Sequence, residues 1–357
     1  MTTTSPARQL LELLGIDHPI IQAPMAGTST PKMAAAVSNA GGLGSIGLGA
    51  MTANAAGEAM KAFREQSQRS LNVNVFCHQP AKADPVREAA WIEKLRPEFE
   101  KCGAQAPGSL NEIYKSFLVD EAMFTTILAQ KPRVVSFHFG LPGEAWIRAL
   151  REAGVILLAT ATSPAEARTL VAAGVHAIVA QGYEAGGHRG IFAPDGVDDK
   201  LGTFALTRLL AREFAVPVIA AGGIMDGAGI AAALRLGAAA AQLGTAFVAC
   251  NESAADEAYR QTLFSEAAQH TVMARVISGR PARCLANRFT ALEAKLSQRE
   301  VPAYPIAYDA AKTLNAAAKA AGEHGFGAQW AGQGAPLARS LPAAKMVEAL
   351  VQELNAS

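Results

Sequence analysis

The stretch "GYEAGGHRG" (182–190) sets an acid, a histidine and an arginine among four glycines, directly after the apolar run "HAIVAQ". An imidazole titrates near neutrality, so His188 can take an α-proton from a carbon acid or, as a cation, hold an anion. Glycines lack Cβ atoms and let a ligand reach backbone N–H groups. Two more clusters share that chemistry: "VIAAGGI" ends on Gly222 and Gly223 before a helix opened by Asp226, and "AQLGTAF" presents Gly244 and Thr245. Backbone donors and a Thr hydroxyl in such places suit a phosphate dianion. "GGLGSIGLG" also has the GxGxxG spacing at Gly42, Gly44 and Gly47. A dinucleotide fingerprint needs strand first and helix second, whereas this one follows a helix and overlaps a strand, so it reads as a loop plus strand. His138, in "SFHFG", is a further polar group at a strand end.

These residues must be positioned by the elements around them. Short apolar runs alternate with amphipathic stretches of helical length, the pattern of a parallel sheet covered on both faces. The spacing predicts strands at 19–24, 43–49, 71–77, 133–140, 155–161, 177–182, 216–223 and 240–248, with helices over 31–40, 53–67, 143–153, 163–173, 203–214 and 226–236. Eight strands fit an α/β fold of the (β/α)8 TIM barrel type, whose active site lies at the C-terminal strand ends and whose phosphate grip follows strands seven and eight. Residues 78–130 and 251–335 break the alternation and are expected to form a mostly helical lobe over the barrel mouth. The barrel would then comprise 1–77, 131–250 and 336–357, the last returning as a helix to pack on it.

Half of the residues are hydrophobic, 18% are charged and the formal net charge is +1, with no basic stripe for a nucleic-acid backbone. The four cysteines, Cys77, Cys102, Cys250 and Cys284, show no metal-ligand spacing and read as reduced thiols, so no metal is expected. "MTTTSPARQLLELLGIDHP" lacks an apolar signal core and no run reaches the roughly 20 apolar residues of a membrane span, so a cytoplasmic protein without a membrane partner is expected.

Taken in order, "PIIQAPMAG", "VSFHFGLP", "GYEAGGHRG" and "AAGGI", joined by "QLGT" at 242–245, resemble the four signature motifs of class I nitronate monooxygenases, also called 2-nitropropane dioxygenases. The resemblance implies non-covalently bound FMN and oxidation of alkyl nitronates, propionate 3-nitronate foremost, with O2. It implies one electron passing from nitronate to FMN, an anionic semiquinone that reacts with O2, and an aldehyde or semialdehyde plus nitrite or nitrate as products. By position it places Gln22, Pro24 and Met25 beside the isoalloxazine and Asn72 on the flavin, with Asn74 the less favoured choice. Gln181 and Gly186 continue the surface, and Gly222, Gly223, Gln242, Leu243, Gly244 and Thr245 bind phosphate and ribityl. His188 is the catalytic residue, as base or nitronate-orienting donor. His138, Tyr114, Tyr259, Tyr304, Tyr308 and Lys312 shape the substrate pocket, since a carboxylate-bearing nitronate needs donors and a cation. The partners implied are a small nitronate and O2, in a monomer or homodimer. Two other readings stand: an NAD(P)H-dependent flavin reductase, of the quinone or enoyl-acyl-carrier-protein type, on the same barrel, and a flavin or phosphate carrier without turnover.

Overall fold

A computed structural model describes residues 6–357 of the chain; residues 1–5, which the sequence reading assigned to the barrel, lie outside the described residues. Among the described residues eleven strands are formed: β1 Ile20–Gln22, β2 Gly44–Gly47, β3 Leu71–Phe76, β4 Val134–His138, β5 Ile156–Ala161, β6 Ala177–Gln181, β7 Gly187–His188, β8 Val218–Ala221, β9 Ala240–Leu243, β10 Thr271–Ala274 and β11 Ala282–Leu285. Eight of them pair in the order β1-β9-β8-β6-β5-β4-β3-β2. Every adjacent pair is parallel, and a parallel bridge from Ile21 to Leu43 joins the two outer strands, making a (β/α)8 barrel.

The helices start where cap residues stand. Thr30 accepts from the Met33 N–H, Ser163 from Glu166 with Pro164 in the first turn, and Asp226 from Gly229. Their apolar faces cover strands that are buried on both sides, as a parallel barrel requires. The spaced glycines of "GGLGSIGLG" serve packing: a Cβ on Gly44 would lie 1.9 Å from the Ala34 carbonyl oxygen, so only glycine lets helix Pro31–Asn39 approach β2 this closely. The C-terminal helix Ala343–Asn355 buries Ala343, Met346, Val347 and Leu350 against Met33, Val37 and Ile230 of the barrel helices.

A second apolar core lies outside the barrel. Trp91, Ile92, Leu95 and Phe99 of helix Pro85–Lys101 pack with Val276, Ile277, Phe289 and the buried face of helix Ile306–Ala320. Helix Glu121–Gln130, grouped by sequence with this lobe, instead sends Met123 and Ile127 into the barrel core, because its apolar side faces helix Ala53–Arg64. The eighth barrel strand ends at Leu243, not at 248: Gly244 breaks the extended run and Thr245–Val248 forms one helical turn. Among the described residues no helix is long and apolar enough to cross a membrane, and no group of three or more His, Cys, Asp or Glu could hold a metal ion.

Candidate functional site

At the C-terminal end of the barrel a cavity of about 1320 Å³, solvent-open space included, lies between the strand ends and the lobe. Its floor on one side is backbone. Gly222 (φ +125°) and Gly223 (φ +71°) follow β8 in conformations that L side chains rarely adopt, and Gly244 follows β9. Among the described residues the N–H groups of these three glycines donate to no other group of the fold, so they are free for an anion. A Cβ on Gly244 would meet nothing closer than Ala23 Cβ at 3.5 Å and Met25 Sδ at 3.9 Å; that side is open space. The Thr245 hydroxyl accepts from the Gly332 N–H at 3.0 Å and keeps its own proton for a ligand. Pro24, Met25, Gln181, Gly186 and Gln242 line the same cavity.

Three residues assigned to the cofactor from sequence stand elsewhere. Gln22 is fully buried below the cavity: its side chain donates to Ala23 O and to Ser29 Oγ (2.9 Å) and accepts from Ser45 N (2.8 Å). Leu243 is core. On β3, Asn74 lines the cavity and donates to Ser136, whereas Asn72 sits one layer deeper, donating to Ser45 Oγ at 3.0 Å with its Oδ1 unpartnered. Residues two apart on a strand share a face, so periodicity alone could not say which reached the rim.

The same cavity is lined by a wall of side chains. β7 pairs antiparallel with β11, and β11 with β10, so the GGH loop is stitched to the lobe rather than left mobile. Gly186 has no room for a Cβ, which would lie 2.5 Å from Gly332 N; the two backbones meet there. The His188 carbonyl accepts from Gln181 Nε2 (3.0 Å) and from His138 Nε2 (3.1 Å). Arg189, buried, forks onto Asp198 with both bonds at 2.9 Å and donates to Gln181 O at 2.6 Å, clamping the loop behind the histidine.

The protonation of the two histidines follows from these partners. His138 must carry its proton on Nε2 to donate to a carbonyl, so Nδ1 accepts from Thr160 at 3.1 Å. Burial holds its pKa down to about 4. His188 Nε2 lies 2.9 Å from Ser278 Oγ, and the Ser278 hydroxyl also reaches Arg280 O at 3.1 Å. With the serine proton on that carbonyl, Nε2 of His188 is the donor and Nδ1 keeps a lone pair. Burial first, then His138, Arg280 and His78, push the His188 pKa well below its usual value, so the imidazole is neutral at pH 7.

All four tyrosines placed in the pocket from sequence line the cavity. The Tyr304 ring lies 5.3 Å and the Tyr308 ring 6.2 Å from the His188 ring, edge to face. Tyr259 is anchored through its hydroxyl to Trp330 O. Lys312 stands at the outer mouth, in an adjoining chamber, with its ammonium 4.7 Å from the Tyr114 ring and 5.4 Å from Tyr308. Sequence reasoning missed Trp330, whose ring is 5.0 Å from His188, and Gly332 and Gly334 beside it. "WAGQG" repeats the glycine signal of the strand ends, but it follows no strand, so the barrel rule did not find it. Ser278, Phe139 and Arg280 were missed as well.

A family model described as nitronate monooxygenase matches residues 7–353. A protein of Paraburkholderia phytofirmans named nitronate monooxygenase is 61% identical over 357 residues, covering 100% of this chain and 98% of its own. One of the same name from Pseudomonas aeruginosa is 52% identical over 343 residues, covering 96% and 98%. Among solved structures, nitroalkane oxidase from Streptomyces ansochromogenes superposes with a TM-score of 0.87 at 40% identity, covering 97% of this chain and 98% of that one. FabK from Thermotoga maritima gives a TM-score of 0.73 at 30% identity over 98% and 96%.

Proposed function

The chain belongs to the nitronate monooxygenase family, and from that premise we propose that it binds FMN and oxidises alkyl nitronates, propionate 3-nitronate foremost, with O2 to the carbonyl compound and nitrite or nitrate. The observation that carries this reading is the meeting of two unlike surfaces in one cavity: free glycine N–H groups and a buried neutral imidazole.

The glycine wall fits a phosphate-bearing flavin. Gly222, Gly223, Gly244 and the Thr245 hydroxyl would hold the dianion, and Pro24, Met25, Asn74, Gln181 and Gln242 would border the rest of the cofactor. FMN supplies the electron acceptor and the reaction with O2. His188 takes the α-proton of a neutral nitroalkane on Nδ1, while Ser278 holds its Nε2–H in place; a substrate arriving as the nitronate needs no base and is oriented by the same ring. His138 fixes the loop through the His188 carbonyl. The aromatic wall of Tyr114, Tyr304, Tyr308 and Trp330 excludes water, and Lys312 offers its ammonium to a carboxylate at the far end of the substrate.

The test is oxygen uptake by the purified, FMN-loaded protein on adding preformed propionate 3-nitronate. Stoichiometric uptake with nitrite release is expected; no uptake would refute the reading. Likeness to FabK keeps the flavin reductase reading in view, with NADH oxidation as its own signature, but the nearer match in fold and identity to a nitroalkane oxidase favours nitronate chemistry.

A further inference from the structure

Behind the histidine wall lies a charge that this mechanism does not use. Arg280 is 3% exposed, and among the described residues no carboxylate oxygen lies within 4 Å of its guanidinium. One nitrogen donates to the Ile191 carbonyl; Nε has no partner at all. The acids that act on it are committed elsewhere. Glu166 accepts from Thr162 and Phe192, and Asp195 pairs with Arg275 at 2.7 Å. A guanidinium buried without a carboxylate costs folding free energy, and such costs concentrate at functional sites.

That charge sits one ring away from residues of the cavity: the guanidinium carbon lies 4.1 Å from the centroid of the Phe139 ring, and that ring packs on His138 at 4.4 Å, Tyr304 at 5.7 Å and His188 at 5.8 Å between centroids. Phe139 is held there at φ +72°, a left-handed conformation that a bulky residue rarely adopts. Tyr304, whose buried hydroxyl also lacks a partner, acts electrostatically on Arg280. His78, His138 and His188, being neutral or cationic in any protonation state, give that charge no counter-charge, and Arg280 helps to hold them neutral.

We propose that Arg280 is a specificity-determining residue: a fixed positive charge, one side-chain layer behind the cavity wall, that favours an anionic substrate over its neutral conjugate acid. The inference rests on the reading of the cavity as a nitronate site. It assigns to the chain a preference for preformed nitronate over neutral nitroalkane, and it gives the positive field a source other than a charged His188. Lys312, at the outer mouth, serves the far end of the substrate; Arg280 serves the reacting end.

The test compares FMN-loaded wild type, Arg280→Gln and Arg280→Lys at one pH. Two quantities are read: the ratio of kcat/KM for ethyl nitronate to that for nitroethane, and the Kd of nitrate, a planar anion that mimics the nitronate head, by calorimetry. Arg280→Gln should lower the ratio and weaken nitrate each about tenfold, the scale of one charge acting across a side-chain layer, while Arg280→Lys should stay within about threefold of wild type. The proposal is overturned by a folded, flavin-loaded Arg280→Gln protein that keeps both values, or by Arg280→Lys falling as far as Arg280→Gln. Should Arg280→Gln fail to fold, wild type and Arg280→Lys must still bind nitrate at least about tenfold tighter than neutral nitroethane, and equal binding overturns it. Loss of nitronate turnover in wild type would refute the functional reading, leaving the nitrate comparison to judge Arg280 alone.

Discussion

The two walls of the cavity are built by opposite means. After β8 and β9 the ligand surface is bare backbone, made by Gly222, Gly223 and Gly244 within a few residues of their strands. On the lobe side it is side chain: His188 stands more than a hundred residues before Tyr304, Tyr308 and Trp330 in the chain, and the pairing of β7 with β11, which also bridges to Trp330 through Cys284, brings it to them. The difference separates binding from chemistry. Backbone donors grip any phosphate of the right size, whereas a buried imidazole with a fixed tautomer depends on every neighbour that desolvates it.

If that division is right, each wall can be broken without the other. The largest effect should come from Gly244→Val. The backbone at 244 (φ −105°, ψ −68°) tolerates a side chain, so the fold should survive while the methyl groups fill the space the cofactor needs; the purified variant should carry no FMN by absorbance. Full occupancy would remove that strand end from the grip. His188→Asn is the converse: FMN is retained, and oxygen uptake with neutral nitroethane falls by about a hundredfold or more, the usual worth of a general base. Unchanged uptake would take the imidazole out of the mechanism. Lys312→Met sharpens the comparison at the outer mouth. It should raise KM for propionate 3-nitronate about tenfold relative to ethyl nitronate, and an equal change for both would deny it a role in reading the carboxylate.

The smallest effect is thermodynamic and belongs to the buried histidines beside the side-chain wall. His78 and His138 are held down to about 4, against an ordinary value of 6.5, chiefly by burial. The unfolded chain therefore takes up protons first, and stability is lost as pH falls from about 6.5 toward 4. Each histidine contributes up to about 1.4 kcal/mol per pH unit to that slope. Tm should drop steadily from pH 6.5 to 5, less so in His138→Asn; a flat profile would mean that the histidines are not buried as described.

The barrel and the glycine wall were legible because both write themselves locally. Apolar runs such as "VIAAGG" carry strand and rim in adjacent residues, and the barrel rule puts the proposed phosphate grip after the last two barrel strands. What failed was depth and distance. Asn72 and Asn74 share a face, so only the packed barrel shows that Asn74 reaches the cavity. Gln22 looked like a flavin contact and proved to be an internal tie between Ser29 and Ser45. Trp330 and Ser278 could not be found, because nothing near them in the chain announces that β11 will carry a partner strand ending on His188. Helix Glu121–Gln130 was misplaced because an insertion between two barrel strands reads the same whether it joins the lobe or the helix ring.

One measurement bears on the pairing of the two walls most directly: the visible absorption spectrum of the purified protein, followed anaerobically after mixing with propionate 3-nitronate and, separately, with NADH. The account predicts a flavin spectrum that changes rapidly with the nitronate and stays unaltered with NADH. A protein that takes up no flavin on reconstitution, or whose flavin is bleached by NADH and ignored by the nitronate, would contradict it.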